Sequence, residues 1–101
     1  MGQGEMNKMS EGWLSACRVL DLSDHRGTLA GMLFARLGAD VVQVEPPEGS
    51  PARRTPPFHG ETSMFWEAFG AGKKSIVCDL ATPEGLAELT RLAQAADIVI
   101  E

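Results

Sequence analysis

At 101 residues the chain suits one small domain, and 44% hydrophobic with 23% charged residues is the balance of an ordinary soluble globular fold. A formal net charge of -5 argues against a nucleic-acid partner, which would need a basic face to displace counterions from phosphates. No apolar run approaches the ~20 residues of a membrane span, so no membrane partner is expected, and any phosphate ligand must be held by local features.

Residues 1–12 are polar and Gly-rich, unlike a signal peptide, and read as a disordered lead-in to a folded region over 13–101. Val19, Leu20 and Leu22 then give a short apolar run over 18–23, the pattern of a strand covered on both faces in a parallel sheet. Over 28–37, Leu29, Met32, Leu33 and Leu37 recur at helical spacing, and Gly38 stands where a left-handed cap is wanted. A second strand is expected over 41–45, ended by Pro46 and Pro47, which cannot donate to a ladder.

The proline- and glycine-rich stretch 48–60 carries Arg53, Arg54 and His59 and predicts an irregular surface loop. Met64, Phe65, Ala68 and Phe69 predict a short amphipathic helix over 62–69, with Trp66 on another face. A third strand follows over 75–80. Thr82 is placed as an N-cap with Pro83 at the first helical position, and Leu86, Leu89, Leu92, Ala93 and Ala96 form one apolar stripe. A fourth strand is expected over 97–100, with nothing after it to cover it, so the chain is expected to be a piece of a larger domain.

Strands alternating with helices imply an α/β fold: a Rossmann-like open parallel sheet with flanking helices, joined by right-handed crossovers. Ligands of such sheets gather at the carboxyl ends of the strands, so the loops after Ser23, Glu45, Leu80 and Glu101 are the places to look for chemistry. The turn Ser23-Asp24-His25-Arg26-Gly27-Thr28 feeds a helix N-terminus, which favours an anion; alternatively, Asp24 and Thr28 cap the helix and Arg26 is solvated. Glu45 sits where a dinucleotide-binding protein places its ribose acid, but the first turn lacks GxGxxG, so a nicotinamide or flavin site is not expected.

Ala71-Gly72-Lys73-Lys74-Ser75 is no phosphate loop: Glu67 replaces the first glycine, Lys74 intrudes before Ser75, and the segment precedes a strand instead of following one. Lys73 and Lys74 either attract phosphate or form a solvated basic turn. Cys17 and Cys78 read as reduced core thiols of a cytosolic protein, and His25 and His59 have no metal-ligand spacing, so no metal is expected. No nucleophile-base arrangement can be singled out.

Four segments in order, Val19-Leu20-Asp21-Leu22-Ser23, Leu37-Gly38-Ala39-Asp40-Val41-Val42-Gln43-Val44-Glu45-Pro46-Pro47 with Pro51-Ala52-Arg53-Arg54, Gly72-Lys73-Lys74-Ser75-Ile76-Val77-Cys78-Asp79-Leu80, and Thr82-Pro83-Glu84-Gly85 leading to Ala96-Asp97-Ile98-Val99-Ile100-Glu101, resemble the start of a class III CoA-transferase (CaiB/BaiF type). The resemblance implies an enzyme that moves CoA from an acyl-CoA to a small carboxylic acid. It implies coenzyme A as substrate and a cytoplasmic, interlocked homodimer at full length.

It also implies an aspartate nucleophile downstream of Glu101, so that the 101-residue chain alone is expected to be inactive. The residues it assigns to CoA are Arg26 and Gly27 in the first turn, the basic groups Arg53, Arg54 and Lys73 near the phosphates, and the strand end Cys78, Asp79, Leu80 and Ala81. For Asp79 the competing reading is a side chain that bonds the N–H groups of the next loop. Pro46 stands where some members of that family have a basic residue on CoA. Alpha-methylacyl-CoA racemases share the pattern and are the alternative enzyme; a truncated, non-catalytic nucleotide-binding or interaction module is the alternative of another class.

Overall fold

The computed structural model describes residues 14–101, so the lead-in expected over 1–12 lies outside the described residues. The elements are β1 (Arg18–Asp21), α1 (Thr28–Arg36), β2 (Asp40–Glu45), a 3-10 turn (Pro51–Arg54), β3 (Phe58–His59), β4 (Thr62–Ser63), α2 (Met64–Gly70), β5 (Lys74–Val77), α3 (Pro83–Ala95) and β6 (Ile98–Ile100). Strands β5-β2-β1-β6 form one parallel sheet in that order, with Val19 beside Val41 and Ile98, and Val44 beside Ile76. The expected Rossmann-like arrangement is present. Because β2 and β5 build out on one side of β1 while β6 joins the other, the strand order reverses between β1 and β6.

Strand alternation divides the core between the two faces of the sheet. Val19, Ala39 and Val41 face one way and gather Cys17, Phe34, Ala35, Ile98 and Ile100; Leu20, Val44 and Cys78 face the other and gather Leu89, Leu92, Ala93 and Ala96 of α3. Both thiols are free, one toward each cluster. Helix α1 ends in a Schellman motif: Gly38, at φ +95°, donates to Ala35 O, and Ala39 N donates to Phe34 O. Helix α3 starts as its sequence predicts, with Thr82 Oγ1 accepting from Gly85 N at 3.0 Å and Pro83 in the first turn.

Several boundaries differ from expectation. The third strand stops at Val77; Cys78 N still reaches Glu45 O, but Asp79 then turns the chain, its carboxylate accepting from Ala81 N at 3.0 Å. Within the stretch expected to be irregular, Ser50 caps the 3-10 turn, and Phe58–His59 pairs antiparallel with Thr62–Ser63 across Gly60, at φ +64°. Helix α2 therefore starts two residues later than expected, at Met64, capped by Ser63.

Helix α1 has the expected span but turns a different face inward. Thr28, Gly31 and Met32 are buried, while Leu29, Leu33 and Leu37 line an exposed stripe. The strand expected to have nothing to cover it is partly covered: at the sheet edge Val99 is exposed, while Ile98 and Ile100 are half-buried against the Val19 cluster. Among the described residues no helix is long and apolar enough to cross a membrane.

Candidate functional site

The carboxyl ends of the strands open into two clefts that share Leu22. The first, ≈ 380 Å³, lies at the strand-order reversal, between the turn after β1 (Ser23, Asp24, Arg26, Gly27) and Glu101. The second, ≈ 410 Å³, has an apolar floor of Leu22, Val44, Cys78, Leu80 and Ala81, with Pro46, Pro47, Glu48 and Asp79 around it. An apolar floor with a few polar groups converging on it is the usual build of a small-molecule site.

Two buried carboxylates stand at the ends of β1 and β2. Asp21 and Glu45 end β1 and β2 on the Val19-Val41 face, with Gln43 between them in the pleat and directly beside Asp21 in register. Lys73 Nζ meets Asp21 Oδ2 at 3.0 Å, Thr28 Oγ1 at 2.8 Å, Thr28 O at 3.2 Å and Gln43 Oε1 at 3.2 Å. Glu45 receives Arg53 as a two-point fork, Nε to Oε1 at 2.6 Å and Nη2 to Oε2 at 2.8 Å, together with Ser50 N and the Ser75 hydroxyl. The Arg53 fork, helped by Ser50 N and Ser75, outweighs burial and holds the Glu45 carboxyl down at about 2. The Arg53 guanidinium also stacks over Trp66, 4.1 Å from the ring centre.

The residues expected at the site fall into two groups. Lys73 is neither on a phosphate-facing surface nor in a solvated turn: its side chain is 2% exposed and its ammonium is surrounded by the oxygens of Asp21, Thr28 and Gln43. Its neighbour Lys74 points away to Asp40, at the opposite end of β2. Arg53 is committed to Glu45. Arg54 is exposed and donates only to the carbonyls of Glu48 and Gly49, beside the second cleft, with no carboxylate partner among the described residues.

Arg26 lies 81% exposed in the first cleft, forked onto Asp24, whose carboxyl it holds at about 2 chiefly through that side-chain hydrogen bond. Gly27 precedes α1 as a cap without a side-chain bond, its N–H turned back to Asp24 O, so neither Asp24 nor Thr28 caps the helix. Cys78 is buried with Sγ against Gly85 O; Asp79, Leu80 and Ala81 line the second cleft, Asp79 making the turn bond named as its competing role. No group of three or more metal-ligating side chains converges among the described residues.

The sequence reading missed the buried polar layer. Its signal was present in the pleat: Asp21, Gln43 and Glu45 fall in phase with Val19 and Val41, so strands read as apolar on both faces carry polar groups on one of them.

Residues 14–101 match the family model described as CoA-transferase family III. The succinate–glutarate CoA-transferase of Agrobacterium fabrum is 45% identical over 87% of this chain and 24% of its own length. The succinyl-CoA–D-citramalate CoA-transferase of Chloroflexus aurantiacus is 41% identical over 87% of this chain and 23% of its own. A crystal structure of a CaiB/BaiF family protein from Brucella suis superposes with TM-score 0.79 at 35% identity, covering 88% of this chain and 25% of that one. The chain thus spans about a quarter of the length of the relatives it matches.

Proposed function

The chain belongs to CoA-transferase family III, and from that membership we propose that it is the N-terminal part of an enzyme that transfers CoA from an acyl-CoA to a carboxylic acid, contributing part of the CoA site. The observation that carries this reading is the pair of adjoining clefts at the strand ends, one of them at the reversal of strand order, in a segment similar to CoA-transferases. Arg26 and Gly27 would meet CoA in the first cleft, and Leu80 and Ala81 would lie under its flat, apolar part in the second. Arg54, which has no carboxylate partner among the described residues and lies beside the second cleft, is placed for a phosphate. Arg53 and Lys73 serve the protein's own carboxylates and are not assigned to the ligand.

The relatives named above carry transferase names, which favours CoA transfer over racemisation. The covalent step belongs to an aspartate beyond Glu101, whose carboxylate displaces CoA thiolate from the acyl-CoA to form a mixed anhydride. The thiolate then attacks the aspartyl carbonyl and releases the donor acid. The resulting enzyme thioester passes CoA to the acceptor acid by the same two steps reversed, dividing the exchange into easier steps. The full-length protein would be a cytoplasmic homodimer, and the open Leu29-Leu33-Leu37 stripe is apolar surface that such an assembly could cover. A radiolabelled exchange assay between succinyl-CoA and glutarate, run on the full-length protein and on the 101-residue chain, tests the assignment. Exchange by the former alone is expected; turnover by the purified short chain would overturn the placement of the nucleophile, and racemisation of a 2-methylacyl-CoA without exchange would overturn the transferase reading.

A further inference from the structure

Lys73 is the most enclosed cationic side chain in the described region, and what it holds together is the first cleft's own turn. Its ammonium contacts Asp21 just before the turn and both Oγ1 and O of Thr28 just after it. Asp21 passes this restraint into the turn through its other oxygen, which accepts from Ser23 N at 2.9 Å and Ser23 Oγ at 2.5 Å. Gln43, whose Oε1 accepts from the same ammonium, donates to Asp21 O at 3.1 Å and Ser23 O at 2.9 Å. Both ends of the segment 22–27 are therefore fastened to one buried charge. Gly31 makes room for it: a Cβ there would collide with the Asp21 carboxylate and with Cε and Nζ of Lys73.

We propose that Lys73 is a positioning residue: it never touches ligand, and through Asp21, Thr28 and Gln43 it fixes the turn 22–27 in the conformation that presents Arg26 and the Gly27 end of α1 to CoA. This rests on the reading that the first cleft receives CoA. A buried ammonium does this better than a neutral group because its three N–H groups bind several oxygens at once, and in a low-dielectric setting each charge-assisted bond is strengthened. Sequence distance is part of the device, since Lys73 stands just before β5 and so ties the first ligand loop to the far edge of the sheet.

The test uses the full-length protein in three forms: wild type, Lys73→Met, and the double variant Asp21→Asn with Lys73→Met, which leaves no unpaired buried charge and so protects folding. CoA affinity is measured by calorimetry at several salt concentrations, and amide hydrogen exchange is followed over 22–28 and, as an internal reference, over β2 and α3. Positioning predicts that the double variant binds CoA at least tenfold more weakly with the same salt dependence as wild type. It also predicts that amide protection falls in 22–28 and stays in β2 and α3. Affinity within twofold of wild type would overturn it, and so would a flattened salt dependence, the mark of a lost direct phosphate contact. Should wild type bind no CoA, the site assignment itself fails, and exchange alone then decides: unchanged protection over 22–28 refutes the role of Lys73, and selective loss sustains it.

Discussion

The ends of β1 and β2 solve one problem in two ways. Each finishes in a buried carboxylate on the same face of the sheet, and each carboxylate meets a base, yet Asp21 is joined to a lysine 52 positions away while Glu45 is joined to an arginine 8 positions away. The Asp21-Lys73 pair is sealed, at 0% and 2% side-chain exposure; in the Glu45-Arg53 pair the arginine is 45% exposed and stacks on Trp66. The sealed pair couples elements distant in the chain and sits under α1, whereas the open one closes the loop that leaves its own strand. Lysine suits the first place because a point charge with three donors can gather several scattered oxygens. Arginine suits the second because its planar fork matches one carboxylate and one ring.

The comparison breaks first at Lys73. Lys73→Met in the full-length protein leaves Asp21 charged and buried without its partner, and chemical denaturation should show a loss of about 3 to 5 kcal/mol, most of it recovered when Asp21→Asn is added. Equal losses in the single and double variants would mean that the lysine stem, and not its charge, does the holding.

The Glu45 corner should respond to acid. Its folded carboxyl lies at about 2, below the ordinary glutamate value of 4.5, so its contribution is fully present above about pH 4.5 and is lost as pH falls toward 2. The contribution is on the order of 3 kcal/mol by linkage, and the pH profile of unfolding free energy for Glu45→Gln should be flatter than wild type by about that amount between pH 5 and 2. Parallel profiles would remove the Arg53 fork from the account of this loop.

The four parallel strands, the two long helices and the caps at Gly38 and Thr82 were legible in the sequence, because each rests on local chemistry: apolar runs, 3.6-residue stripes and cap residues. Local pattern misled at α1. Leu29, Leu33 and Leu37 look like a core stripe, but the small side of the helix, Thr28 and Gly31, faces the sheet because the Asp21-Lys73 pair occupies the space where leucines would pack. The β3-β4 ladder was missed because two residues per strand give no period to read. Of the expected site, the strand end at Leu80 and Ala81 and the turn at Arg26 and Gly27 do line clefts, since topology alone places loops there. Which basic residues stay free for a ligand could not be read, because that depends on pairings made across the fold.

The reading that these strand ends hold CoA is tested most directly by titrating CoA into the full-length Arg26→Ala/Arg54→Ala double variant at two ionic strengths, beside an Arg91→Ala control on the exposed face of α3. Loss of phosphate contacts should weaken binding several-fold and flatten its salt dependence, with the control unchanged. Wild-type affinity and salt dependence in the double variant would contradict the account.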